Sequence, residues 1–484
     1  MMPRSTAPTD LEALGRRGRL RVLMICSLSL AIVGMDVTAV NLALPSIRSD
    51  FNAGLSGLQW VIDAYTVVVA ALLIFSGSVA DRVGRKKVFR VGLAVFGLGS
   101  LACSLAPSIG VLVAARALQA VGGSMLNPVA MSIITNTFLE PSERARAIGV
   151  WGAMFGTSMA VGPVIGGILV DGLGWRSIFW LNVPIVAAAL WLTARYVPES
   201  RADHPRRLDP WSQILVATSL AALVFAIIEG ENLGWRSPAI LAAFGTFVLV
   251  GVVFLVVQWR AREPLVDPRY FGSIPFTGAL ASAVVGFAGN GATLFMATLY
   301  LQTVRGMTPL DAGLSTVPMA IMTASLAPVS GWLVARRGTR LPMVAAGTLL
   351  FAGAVPLFHL AADTPLEVVI GAFVLFGAGQ GLLNAPITNS AVSGMPRAQA
   401  GVAGALASTA RQVGAALGVA IAGALMATQL ASSATAELAV AMRPGWVLTG
   451  ACGLVLLVMG FLVSGNLARS SVARVVARTN ADLT

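Results

Sequence analysis

The chain has 484 residues, 56% of them hydrophobic and only 11% charged, with a formal net charge of +12. A soluble protein carries about 25% charged residues, so the composition excludes a soluble enzyme. Apolar stretches of ~20 residues recur from end to end, each long enough to cross a hydrocarbon core of ~30 Å.

Loops rich in Arg, Pro and Gly divide the chain into fourteen predicted helical spans, near 22–47, 59–79, 88–106, 109–136, 146–170, 174–197, 211–230, 237–259, 275–304, 309–334, 340–361, 365–392, 401–428 and 443–465. Of the 33 Lys and Arg residues, 26 fall on one side of these spans and five (Arg48, Arg176, Arg236, Arg305 and Arg443) on the other. The positive-inside rule then places both termini in the cytoplasm. Cations sorted by loop in this way are a topological signal, and nucleic acid is not an expected partner. The basic N-terminal segment runs straight into a first span too long for a signal-peptide core, so no cleaved leader is expected. Cys26, Cys103 and Cys452 have no paired spacing and His204 and His359 no ligand spacing, so neither disulfides nor a metal site are predicted.

The first span contains Asp36 and the second contains Asp63, each alone in an apolar run. A carboxylate at bilayer depth costs about 2.5 kcal/mol or more, and proton relay or cation handling is the usual reason for one. Both point to a transporter. Gly77–Lys87, GSVADRVGRKK, follows the second span. Its glycines Gly77 and Gly84 allow close helix ends, and Asp81 can pair with an arginine or a helix N-terminus. Arg82, Arg85 and their basic neighbours anchor at an anionic leaflet. In the fourth span Arg116 is a permanent cation that must pair or line a wet cavity, and a carboxylate within ~4–6 Å would feel it. In the fifth, Gly162, Pro163, Gly166 and Gly167 put small residues and a kink at a helix–helix interface, read as a rocking seam. The seventh and eighth spans carry no embedded charge except Glu229 near one end and are predicted to be peripheral. Arg411, in the thirteenth span, is a second embedded cation with no evident partner. Tyr65, Asn290, Tyr300, Gln302, Asn384 and Asn389, with Asp63, are candidate cavity contacts.

The chain also repeats itself. Gly77, Arg82 and Gly84 recur in the same spacing as Gly331, Arg336 and Gly338, 254 residues later, and Met125–Pro128 is echoed by Leu382–Pro386. Two related halves with a substrate cavity at their midplane interface follow from such duplication. The domains are therefore drawn as a tail 1–21, a six-helix bundle 22–197, a linker with two extra helices 198–274, a second six-helix bundle 275–465 and a tail 466–484.

Gly77–Lys87 closely resembles the signature loop of the major facilitator superfamily. Met35–Pro45 (MDVTAVNLALP), Ala115–Ser124 (ARALQAVGGS) and Gly162–Gly167 (GPVIGG) are similar to its first-helix, fourth-helix and antiporter motifs. Trp175–Pro184 and Ala410–Gly423 resemble stretches of its fourteen-helix drug:proton antiporters, of the QacA/EmrB type. Asp63 in WVIDAY is similar to an acidic position of the QacA-like, cationic-drug branch, while Ala120 stands where the fourth-helix motif usually has Gly. The resemblance spans residues 22–465 or so. It implies an all-α major facilitator fold, no enzyme activity and no cofactor beyond a proton gradient. Proton coupling would fall to Asp36, Asp63 and Arg116, and the cytoplasmic gate to Gly77, Asp81, Arg82, Gly84 and Arg85. The expected function is proton-coupled export of amphipathic, by preference cationic, small molecules from a bacterial cell membrane, by a monomer with lipids as its other partners. One alternative keeps the fold but narrows the cargo to a specific metabolite, such as a self-made antibiotic, an amino acid or a lipid. A non-transporting sensor or scaffold is a more distant one. No P-loop is present to support ATP as the fuel.

Overall fold

The computed structural model describes residues 15–202, 208–261, 264, 267–395, 400–432 and 438–475 without 466, 469 and 473. Among them are fourteen helices long and apolar enough to cross a membrane. They are α1 (Arg16–Phe51), α2 (Leu55–Val83), α3 (Arg85–Ser104), α4 (Ile109–Thr137), α5 (Pro141–Leu173), α6 (Ser177–Tyr196), α7 (Pro210–Leu233), α8 (Pro238–Arg260), α9 (Ile274–Leu299), α10 (Pro309–Arg337), α11 (Arg340–Ala354), α12 (Leu366–Ser393), α13 (Ala400–Ser432) and α14 (Arg443–Leu462). Each span read from the sequence overlaps one of these helices; α1, α2, α5 and α13 run several residues further, whereas α9 and α11 stop at Leu299 and Ala354 and give way to a π-turn (Tyr300–Val304) and a 3-10 turn (Val355–His359). α1 has 36 residues, a length of ~54 Å at 1.5 Å per residue, so it projects well beyond a hydrocarbon core. The structure begins α1 at Arg16, six residues ahead of the expected start, because polar residues outside the bilayer still form helix. Side-chain caps start several helices: the Ser108 hydroxyl accepts from Val111 N at the head of α4, and Thr308 accepts from Asp311 N at the head of α10.

Helices α1–α6 and α9–α14 form two bundles, with the α7–α8 hairpin against them. The two ends of the molecule differ. One end, the Arg-rich one, carries Arg82, Arg85 and Lys86 where α2 meets α3, Arg144 and Arg146 at the head of α5, Arg201 after α6, Arg260 at the end of α8 and Arg269 beyond it, and Arg336 and Arg337 closing α10. A single apolar core fills the second bundle and continues into the first at the far end, joining Val40, Leu44 and Phe179 to Phe295, Tyr300 and Trp446. Toward the Arg-rich end the first bundle has a separate core around Phe89, Phe96 and Ile133. Hydrogen bonds tie the bundles at the far end: Gln302 donates to Leu42 O at 2.7 Å, and Leu310 N to Asp171 at 3.2 Å. On α5 and α10, Gly156 still lies near Ala324, but Gly149, Gly152 and Gly331, nearer the Arg-rich end, face open space. The halves therefore converge at the far end and splay toward the Arg-rich one.

The central hairpin is not wholly peripheral. α8 is: only Ile240 and Gln258 of it are buried. α7, however, lies across the line where the bundles meet, its Val224 and Ile228 packed on Val67 of α2 and on Ala416 and Ala420 of α13. Two acids fix its far end, with Glu229 accepting from Trp60 Nε1 at 2.8 Å and Glu231 from Thr428 at 3.0 Å.

Candidate transport site

Asp36 on α1 is 4% exposed, and side chains of α4 and α6 converge on it. Arg116 Nη1 lies 2.6 Å from Oδ2, while Gln119 Nε2 and Asn182 Nδ2 donate to Oδ1 at 2.9 and 3.0 Å. Arg116 also donates to Val61 O at 3.1 Å and stands over the Tyr65 ring, 4.4 Å from its centroid. Gln119 further donates to Ser100 on α3 at 2.8 Å. A buried pair is tolerable only when its remaining lone pairs and protons are satisfied, and here both carboxylate oxygens are. Small residues make the convergence possible. A Cβ on Gly99 would stand 2.5 Å from Gln119 N, and one on Gly122 would strike the backbone of Phe96. Close packing of α3 on α4 thus survives Ala120, itself fully buried. The sequence pointed to Asp36 and Arg116 but not to Gln119, Asn182 or Ser100. Their signal was weak but present: Gln119 lies one turn from Arg116, and Asn182 interrupts an apolar run.

Asp63 is the opposite case. One turn before it on α2, Gln59 donates to Val419 O and Ala420 O of α13 at 3.2 and 2.9 Å. One turn after it, Val67 packs on Ala416 and Ala420. Residues four apart share a helix face, so the Asp63 carboxyl lies on the face toward α13. It is 0% exposed and neither oxygen has a hydrogen-bond partner among the described residues. An anion there would lack compensation at a depth where charge is most costly.

The loop after α2 is organised around Gly84, whose φ of +126° an L side chain rarely adopts. Asp81 pairs with Arg85 at 2.8 Å, one turn apart, while Arg82 is exposed. The segment after α6 straps this loop: Arg85 N donates to Ser200 O and Ala202 N to Asp81 O, at 2.9 and 3.0 Å. Glu199 accepts from Lys86 N at the start of α3, favourable at a helix N-terminus. Gly77 contacts Pro128 of α4.

The four residues expected at one seam divide between two. Gly162 and Gly166 face α1, against Thr38 and Ala39, within the first bundle. Gly167 and the Pro163 carbonyl face α10, against Leu310 and Gly313 across the bundles. The candidate cavity contacts divide as well. Asn384 and Asn389 are exposed, and Asn290 and Gln302 half-buried. Asp63, Tyr65 and Tyr300 are sealed, with the Tyr300 hydroxyl donating to Ala361 O at 2.7 Å. Gln302 sits in a π-turn, Tyr300–Val304, that carries its amide across to α1. Among the described residues no group of His, Cys, Asp and Glu is arranged to hold a metal ion.

A family model described as Major Facilitator Superfamily matches residues 26–419. The chain belongs to the major facilitator superfamily. Among curated relatives of this facilitator, the multidrug resistance protein Stp of Mycobacterium tuberculosis is 36% identical over 421 residues, covering 87% of this chain and 78% of that protein. The methylenomycin A resistance protein of Streptomyces coelicolor is 36% identical over 424 residues, covering 86% and 88%. Among solved structures, a bacterial homolog of the human lysosomal transporter Spinster, inward-facing and unoccupied, superposes with a TM-score of 0.66 at 17% identity, covering 96% of this chain and 99% of that one. At that identity the likeness is one of fold alone. This facilitator is a multi-pass membrane protein.

Proposed function

We propose that this facilitator exports amphipathic small molecules by exchange for protons, with alternating access between its two bundles. The observation that carries the reading is the contrast between its two embedded acids: Asp36 fully paired in the first bundle, Asp63 unpartnered on the face toward the second. The relatives' names, a multidrug resistance protein and an antibiotic resistance protein, support export of drugs. In this reading the Arg-rich end is cytoplasmic, both termini lie there, and the splayed bundles are open to the cytoplasm. Asp36 with Arg116 binds the proton that drives return. Asp63 is reached when α2 and α13 part, and serves coupling and recognition of cationic cargo. The loop of Gly77, Asp81, Arg82, Gly84 and Arg85 acts as the gate. The bundles 22–197 and 275–465 move as units in a bacterial cell membrane, with the linker 198–274 between them, and the protein works as a monomer among lipids.

A second reading, a dedicated exporter of one antibiotic, is favoured by the methylenomycin A resistance relative. The two diverge in breadth of substrate. The direct test is drug-induced proton release from purified protein, alongside uptake of cationic and neutral dyes into inverted vesicles with an imposed pH gradient. Asp36→Asn is expected to abolish proton-driven transport of every dye, and Asp63→Asn to impair cations far more than neutral substrates. Unchanged proton release in Asp36→Asn would remove Asp36 from the mechanism.

A further inference from the structure

The two acids that could attract a cation are both out of reach in this conformation, one paired and one sealed. Arg411 on α13 is not. It is half-buried, and its guanidinium donates to Ser408 Oγ at 2.7 Å and to Thr388 Oγ1 of α12 at 3.4 Å, with the Phe287 ring 5.9 Å away. Among the described residues no carboxylate pairs with it. Arg411 is 11 residues into α13, ~17 Å along the helix axis from its Arg-rich end. A guanidinium cannot shed its proton, so a cation in this place needs water or an acceptor. Thr388 is exposed and lies one turn from the exposed Asn384. Polar side chains at this depth face a water-filled cavity and not lipid, so this face of α12 and α13 opens into the space between the bundles.

We propose that Arg411, with Thr388 and Asn384 beside it, forms a subsite for an anionic group of an amphipathic substrate: a carboxylate, sulfonate or ionised phenol. The planar fork of Arg411 suits two-point contact with such a group, Phe287 offers an apolar surface to the attached ring or chain, and the two neutral side chains add polar contacts. Beside Arg411 on α13, Leu406 and Thr409 line an apolar pocket with Ala70, Ala71 and Ile74 of α2. The subsite extends the cargo from cationic molecules to acidic and zwitterionic ones. That its occupant is cargo rests on the export reading above.

The test is equilibrium dialysis of the full-length protein in phosphatidylcholine nanodiscs, with no ion gradient. Two probes share one dansyl fluorophore, one ending in a sulfonate and the other in a trimethylammonium group. Arg411→Gln is expected to weaken the sulfonate probe by about tenfold while leaving the ammonium probe unchanged or tighter, and Arg411→Lys, which keeps the charge but loses the two-point fork, to fall between the parent and Arg411→Gln. Thr388→Asp, which supplies the guanidinium with an internal partner, should also abolish sulfonate binding and covers the case in which Arg411→Gln fails to fold. A sulfonate-to-ammonium affinity ratio unchanged in Thr388→Asp, or no sulfonate binding by the parent protein, would overturn the subsite. So would loss of sulfonate binding on adding phosphatidylglycerol, which would assign the cation to lipid headgroups. Intact Arg411-dependent binding without transport in vesicles would instead overturn the export reading and leave the subsite standing.

Discussion

The amide of Gln302 is a hydrogen-bonded strut between the bundles, and removing it should move the conformational equilibrium. It donates to Leu42 O at 2.7 Å from a π-turn that has no other evident role. Gln302→Leu keeps the volume and deletes the bond. The net worth of such a bond is about 1 kcal/mol, with a further penalty wherever the carbonyl is left dry. Since ~1.4 kcal/mol is tenfold, the ratio of the form closed at the far end to the open form should fall about fivefold. A ratio of ~9:1 would fall to ~2:1. Gln59→Leu deletes the bonds to Val419 O and Ala420 O and should act in the same direction. The two sites share no partner, so their effects should add to roughly 25-fold. Spin labels at positions 49 and 363, in a background lacking the three buried native cysteines, report the far-end separation by pulsed dipolar spectroscopy. A longer-distance population that grows from single to double variant is expected. Identical distance distributions in the parent and the double variant would refute the assignment of these amides as ties.

Breaking the buried pair by Arg116→Gln should cost about 3–5 kcal/mol, because it leaves the Asp36 carboxylate uncompensated. Adding Asp36→Asn should recover much of that stability without recovering transport, as read by the melting of purified protein with a thiol-reactive fluorophore, since all three cysteines are buried. Gly84→Ala should destabilise by about 1–2 kcal/mol and displace Glu199, whose carboxylate would lie 2.7 Å from the new Cβ. It should reduce transport of all substrates by a similar factor. Gly167→Ala places a Cβ 2.7 Å from Leu310 Cα and should open the far end as Gln302→Leu does, whereas Gly149→Ala, which meets open space, should leave the distance distribution unchanged.

What the sequence made legible followed from cost. Asp36, Asp63 and Arg116 stood out because a charge in an apolar run is expensive, and the expected nearness of a carboxylate to Arg116 resolves into a 2.6 Å pair with Asp36. Gln119 and Asn182 were not legible because a neutral amide barely disturbs a hydropathy profile, although the two amides supply two of the three hydrogen bonds to that carboxylate. The glycines of α5 were visible as small residues, but which neighbour each one meets depends on a quarter turn of the helix and on where α1 and α10 lie. The contact of Glu199 with the start of α3 joins residues 113 apart in sequence, and no local pattern encodes it. Likewise the role of α7 could not be read from its even apolarity, since a helix buried between two others and one facing lipid look alike in composition.

That position of α7 has a mechanical consequence. It touches both bundles along one line, gripped at its far end by Glu229 on Trp60 and Glu231 on Thr428. Rotation of the bundles about that line leaves its apolar contacts nearly intact, whereas sliding either bundle along the line, or pulling them apart across it, strips one side bare. For the alternating access proposed above, the added hairpin would serve as a bearing that favours rotation about that one axis. Asp63, on the face of α2 turned to α13, lies close to that axis, where displacement is least and a small change in angle alone decides whether water reaches the carboxyl.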